Sequence, residues 1–297
     1  MNQTEPVAAK RLNFLRTLSA LLKDACYAWL GDNAASMGAA LAFYALFSLA
    51  PVLIIAVAIA GFGFGKQAAE RAVLGQFQGL MGETGAKAVE TVIQDVNRPT
   101  LGAIASTVGF VAVLIGASGA FIELQNALNK IWKVEATIET IWVGAIRQRF
   151  WSFGLVVGTG FLLLVSLVIS ASLGALGKFV GNLLPLPVVL LESFNFVFSF
   201  GVITLLFAIV FKLIPDTRIS WNDVWIGAVV ASLLFTVGKV LIGLYLGRSA
   251  LGSAYGAAAF LVIFLLWIYY SAQILLLGAE LTHVYANKYG SHVEAHS

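Results

Sequence analysis

The chain has 297 residues, of which 60% are hydrophobic and only 11% charged, with a formal net charge of +3. An ordinary soluble domain carries about 25% charged residues, so a water-facing surface for a chain of this size would need more polar side chains than it owns. Lipid is therefore the expected solvent for most of the chain, and the basic excess reads as membrane-orienting loops rather than a nucleic-acid surface.

The first 30 residues spread Lys10, Arg11, Arg16, Lys23 and Asp24 along their length. They contain no short apolar core with a cleavage site, so no secretory signal peptide is expected and the first span is expected to direct targeting. The single cysteine, Cys26, implies no internal disulfide. Residues 11–30 place Leu15, Leu18, Leu22, Cys26 and Trp29 at helical spacing, with Arg11, Arg16 and Lys23 elsewhere around the wheel. This predicts an amphipathic helix lying on the cytoplasmic surface, within an N-terminal segment 1–34.

Six stretches, 35–64, 101–122, 151–176, 188–211, 224–246 and 257–279, are apolar and long enough to cross a bilayer, which takes about 20 helical residues. They are continuous rather than alternating, so helices are expected and not barrel strands. The predicted fold is an all-α polytopic bundle of six transmembrane helices over 35–279, with a tail at 280–297. With the N-terminus inside, 11 of the 18 Lys and Arg residues fall in segments 1–34, 123–150, 212–223 and 280–297. Six fall in the opposite loops 65–100, 177–187 and 247–256, and Lys239 lies within a span. Both termini are accordingly expected in the cytoplasm.

Loop 65–100 is too long for a bare turn. It reads as an outer cap of two short amphipathic helices broken at Gly82–Gly85 and stopped by Pro99. Span 2 repeats Gly102, Ala105, Gly109, Ala112, Gly116 and Gly119 at spacings that keep one stripe of small residues on a partner. It is expected to be the central helix, with shorter small-residue seams at Gly154 and Gly158 in span 3 and at Ala34, Gly38 and Ala42 in span 1. Its pattern continues through Leu124, Leu128 and Ile131, predicting a helix that projects into the cytoplasmic loop 123–150.

Four separated stretches carry a resemblance: Asp32–Pro51 (DNAASMGAALAFYALFSLAP), Ala127–Val134 (ALNKIWKV), Pro215–Ala228 (PDTRISWNDVWIGA) and Leu265–Leu281 (LLWIYYSAQILLLGAEL). Together, and in this order, they resemble the YihY/BrkB family of bacterial inner-membrane proteins. The resemblance implies six spans, an inner-membrane location and an older label, ribonuclease BN. Members of the family are described as candidate transporters or as virulence-associated envelope proteins, so the resemblance implies location more than mechanism.

Much familiar chemistry is missing from the motifs. The histidines are His283, His292 and His296, all in the tail. No paired His or Cys spacing suggests a metal, no Gly-rich Lys-Ser/Thr loop suggests ATP, and no Gly-x-Ser-x-Gly elbow suggests a hydrolase. A metal-dependent ribonuclease needs convergent His and Asp clusters in a soluble cavity, which this pattern does not provide. The chain is expected not to be an enzyme and to use no cofactor, metal or nucleic acid; its partner is the bilayer, with a small molecule or lipid as substrate.

Polar residues inside spans are the remaining candidates. Tyr44, Ser48 and Pro51 share one face of span 1, where Pro51 frees a carbonyl and kinks the helix. The plainer account is a kink with Tyr44 and Ser48 satisfied locally. Tyr269, Gln273 and Glu280 share one face of span 6 and are predicted to line a path against the span 1 face, although Glu280 could simply end its helix beside water. Glu192 and Lys239 stand at similar depth in spans 4 and 5, where they could pair, or Lys239 could snorkel alone. Asp32, Asn33, Glu123, Asn126, Lys130, Asn222 and Asp223 gather at the cytoplasmic ends of spans, where Asp32/Asn33 and Asn222/Asp223 could also act as helix caps. The expected function is a transporter or exporter of a small molecule or envelope lipid intermediate without its own ATPase. The alternative is a non-transporting envelope scaffold that binds a partner. Substrate, coupling ion and oligomeric state are written in no motif.

Overall fold

The computed structural model describes residues 7–96, 119–134, 188–248 and 259–291. Their regular structure is entirely helical: α1 (Val7–Gly31), α2 (Ala34–Phe64), α3 (Lys66–Val96), α4 (119–131), α5 (Val188–Leu213), α6 (Trp221–Arg248) and α7 (Ala259–Lys288). Among the described residues, three stretches are long and apolar enough to cross a membrane: Phe196–Leu213, Trp221–Ile242 and Leu261–Lys288. Ala34–Leu49 is a shorter apolar run in α2. The predicted span 151–176, and all but the last four residues of 101–122, lie outside the described residues. The seam from Gly102 to Gly116 and the pair Gly154/Gly158 lie outside them as well.

Among the described helices α7 is the hub, packing against α6, α2, α1 and α3. Helices in lipid gain little from apolar surface alone, so close approach at small residues carries the packing. At the α6–α7 crossing, Gly227 lies against the Thr282 hydroxyl and the Gly278 carbonyl, while Gly278 lies against Ala231 and the ring of Phe211. Further along, Gly238 receives the phenol of Tyr270. On the other side of α7, Gly38 of α2 receives the amide of Gln273. The main core runs through these contacts, from Met37 and Leu41 of α2 to Phe211, Ala228, Leu276 and Ala279.

Several expectations are corrected. α3 is one continuous helix and does not break at Gly82–Gly85. Glycine weakens a helix by about 1 kcal/mol but does not stop it, and the Glu83–Lys87 ion pair, 2.7 Å at i,i+4, spans Gly85. Ala69, Val89 and Ile93 of α3 pack with Leu53 and Val57 of α2. α1 is not laid bare on a surface: Leu21 and Ala25 are buried with Leu281 of α7, and Cys26 is exposed. Leu22 and Trp29 of the predicted stripe also pack against the core, so the buried face keeps part of that stripe and extends to Leu21 and Ala25. The helical pattern through Leu124, Leu128 and Ile131 holds in α4, and Leu128 and Ile131 are fully buried in the main core. Finally, α7 continues to Lys288, nine residues beyond the predicted end of span 6.

Candidate functional site

The site is built around a corner between two helices. α1 ends at Gly31 and α2 begins at Ala34. Asn33 turns the chain with φ 64° and ψ 38°, and its side chain makes no cap hydrogen bond, so the expected capping role is not its role. Asn tolerates this left-handed conformation better than most residues. The Asp32 carboxylate, freed from capping, accepts two hydrogen bonds from the Lys133 ammonium at 2.6 and 2.7 Å. Lys130 donates to the Asp32 backbone carbonyl at 2.6 Å. Lys133 follows the last turn of α4 and also has a positive φ, 54°.

Behind this corner lies Glu280. It is fully buried, and neither carboxyl oxygen has a hydrogen-bond partner. The extension of α7 places it within the helix, so it does not end the helix beside water. Asp32 and Lys133 are the charged groups acting on it. One turn further, His283 meets the Trp132 ring edge-on at 5.1 Å and pairs with Asn287 at 2.8 Å. Asp32, Lys130 and Glu280, which the sequence assigns to two separate groups, therefore form one cluster with Lys133.

Seven residues before Glu280, about 10 Å along the same face, Gln273 donates its amide to the Ala34 carbonyl at 3.3 Å. Its Oε1 is buried without a partner. Tyr269 packs near Gly38 on the same side. This face of α7 meets α2 at Ala34 and Gly38, nearer the start of α2 than the Tyr44–Ser48 face. Tyr44 instead lays its ring against Gly119 of α4, and Ser48 donates to its own helix, at the Ala45 carbonyl. α2 continues through Pro51, whose side chain lies outside the described residues.

A second polar cluster escaped the sequence reading. Asp216, in the turn between α5 and α6, accepts from Gln125 and Asn129 at 2.8 Å each, and its N–H donates to Asn129 Oδ1 at 2.8 Å. Gln125 and Asn129 stand at i,i+4, and that spacing on the α4 pattern was the available signal; the prediction took Asn126, one position away. Asn126 and Asn222 are exposed and Glu123 is half-buried. Asp223 is buried and accepts from the Ser291 N–H at 3.2 Å and hydroxyl at 2.5 Å, so it holds the chain after α7. Asp24 pairs with Lys288. Lys239 is half-buried on α6, and the side chain of Glu192, its expected partner, lies outside the described residues. These contacts join parts of all four segments assigned to one side by their basic residues, so those parts gather at one end of the bundle.

Among the described residues the arrangement gathers charged and polar side chains from α1, α4 and α7. Among the described residues no three His, Cys, Asp or Glu side chains converge as metal ligands.

Residues 25–297 match the family model described as Virulence factor BrkB. A UPF0761 membrane protein of Ralstonia nicotianae is 28% identical over 261 residues, covering 84% of this chain and 55% of that protein. Relatives of the same description occur in Methylibium petroleiphilum, 29% identical over 74% of this chain and 53% of the relative, and in Pseudomonas aeruginosa, 29% identical over 84% and 59%. The chain thus spans little more than half the length of these relatives. No solved structure matches it.

Proposed function

Since this chain belongs to the BrkB family of membrane proteins, we propose that it is an inner-membrane transporter or exporter with both termini in the cytoplasm. Its cargo is a small molecule or an envelope lipid intermediate, and it has no ATPase and no catalytic chemistry of its own. It engages the bilayer and its cargo, and no nucleic acid. The observation that carries this reading is Glu280, a fully buried acid with no hydrogen-bond partner on the helix that organises the bundle. An ionisable group at membrane depth is costly to keep, by about 2.5–3.5 kcal/mol on insertion scales, and persists where it handles ions or substrate. The unpartnered oxygen of Gln273 on the same face extends the polar stripe towards the middle of α7.

One observation favours the second reading, a non-transporting scaffold. The Gln273 amide is used in an interhelical bond to Ala34, which is how a packed structural contact behaves. Metabolite and lipid profiling of a deletion strain separates the two. Under the transport reading, one compound accumulates on one side of the membrane in the deletion, and the wild-type chain restores its distribution. The Glu280→Gln chain, present at normal abundance, does not. Full restoration by Glu280→Gln, or an unchanged profile in the deletion, argues for the scaffold.

A further inference from the structure

Buried polar side-chain atoms almost always find a partner, so the exceptions are informative. Among the described residues they are Trp29 Nε1, Trp132 Nε1, Gln273 Oε1 and both oxygens of Glu280. They come from the end of α1, the end of α4, and the middle and C-terminal half of α7. Trp29 and Trp132 both pack in the core that contains Leu276 and Ala279, the neighbours of Glu280 along α7. Among the described residues the two non-glycine positions with positive φ, Asn33 and Lys133, stand at the same place, one beside Asp32 and the other its ion-pair partner. Strained backbone of this kind persists only where surrounding contacts hold it.

Glu280 has two forms with opposite consequences. As a neutral acid it has an O–H to offer the Asp32 carboxylate that faces it, and the Asp32–Lys133 pair is left intact. As a carboxylate it sets a second negative charge against Asp32 from a buried position, with one ammonium, Lys133, to serve both. Lys130 grips the backbone of the corner and not its carboxylate, so it does not resolve the competition. We propose that Glu280 and Asp32 form a proton-binding site: the proton on Glu280 keeps the Asp32–Lys133 pair closed, and its release to water opens that pair and frees the α1–α2 corner from the end of α4.

The other charged groups around α7 are occupied or distant. His283 sits one turn on and feels the same Asp32 and Lys133. From α1 comes Asp24, engaged by Lys288, and from α6 comes Asp223, engaged by Ser291. The start of α2, residues 34–43, carries no ionisable side chain. α3 meets α7 through Phe77, beside Ile263, Phe264 and Trp267, far from Glu280 along the helix. The proposal deepens the transport reading by naming its coupling ion, and rests on it for purpose, while the latch itself is measurable without cargo.

The test uses the full chain in lipid nanodiscs, with Cys26→Ser and spin labels at Ser36→Cys and Asn126→Cys, both exposed positions. Electron-spin distance measurements run from about pH 5 to pH 9. The expected result is a label separation that lengthens with a one-proton midpoint as pH rises. In parallel, the carbonyl stretch of a protonated carboxylic acid should disappear over the same range in infrared difference spectra. Glu280→Gln should stay closed throughout and lack that infrared band, while Lys133→Met should be open throughout. If Glu280→Gln fails to fold, Glu280→Asp must move the midpoint. Opening that survives Glu280→Gln, an infrared band that titrates without opening, or no titrating band at all overturns the proposal. A latch that opens with pH in a chain that moves no metabolite keeps this proton site and removes the transport reading. Proton-driven transport by Glu280→Gln with its corner closed does the reverse.

Discussion

Gly227→Ala is the substitution whose cost can be worked most directly from the structure. A Cβ at residue 227 would overlap the Thr282 hydroxyl and stand 2.5 Å from the Gly278 carbonyl and 3.1 Å from Thr282 Cβ. The hydroxyl cannot simply swing away, because it donates to that same carbonyl at 2.8 Å and is fully buried. The carbonyl is backbone, so α6 and α7 must separate. Overpacking of this kind costs about 1–3 kcal/mol, and the disturbed hydrogen bond adds about 0.5–1.5 kcal/mol. The better helix propensity of Ala returns up to about 1 kcal/mol, leaving a net destabilisation of about 0.5–4.5 kcal/mol. Gly201→Ala is the control, since open space surrounds Gly201, and it should be neutral or slightly stabilising. Both are compared by reversible unfolding in mixed micelles. Thr282→Ala should recover part of the loss in Gly227→Ala but not all, because the Gly278 carbonyl remains, giving a coupling of about 0.5–3 kcal/mol. A Gly227→Ala chain as stable as wild type, or strict additivity with Thr282→Ala, would refute the close crossing.

Two further predictions concern α3 and topology. Lys87 hydrogen-bonds and pairs with Glu83 on the exposed face of α3, holding the Glu83 carboxyl below the usual carboxylate range and the Lys87 ammonium above its own. The stabilisation from Glu83 is present above the ordinary carboxylate range and is lost as pH falls through its lowered value. Lys87→Ala should raise the Glu83 titration towards the ordinary range by NMR, and an unmoved titration would remove the pair. For topology, reporters fused near residues 90 and 290 should report opposite compartments, whereas the same compartment for both would show that the chain crosses the bilayer a different number of times between them.

The membrane nature of the chain and its helical class followed from composition and from the length of its apolar runs. Those are set by the bilayer and not by neighbours: a helix must be about 20 residues long and apolar, whatever it packs on. The grouping of basic segments is legible for a similar reason, since orientation follows charge along the chain. Several expectations failed, and each depended on a neighbour. The break at Gly82–Gly85 was overridden by an ion pair and by packing on α2. On α1, Leu21 and Ala25 are buried against α7 while Cys26 of the predicted stripe is exposed. The end of α7 was hidden because Glu280, polar in sequence, is buried in three dimensions. Asn33 looked like a cap and is a left-handed corner. The same holds for the site: polarity within a span singled out Glu280 and Gln273, but nothing local joins Asp32 to Lys133, 101 residues apart. Their meeting with Glu280 required α1, α4 and α7 to converge, and convergence is a property of packing that no single segment carries.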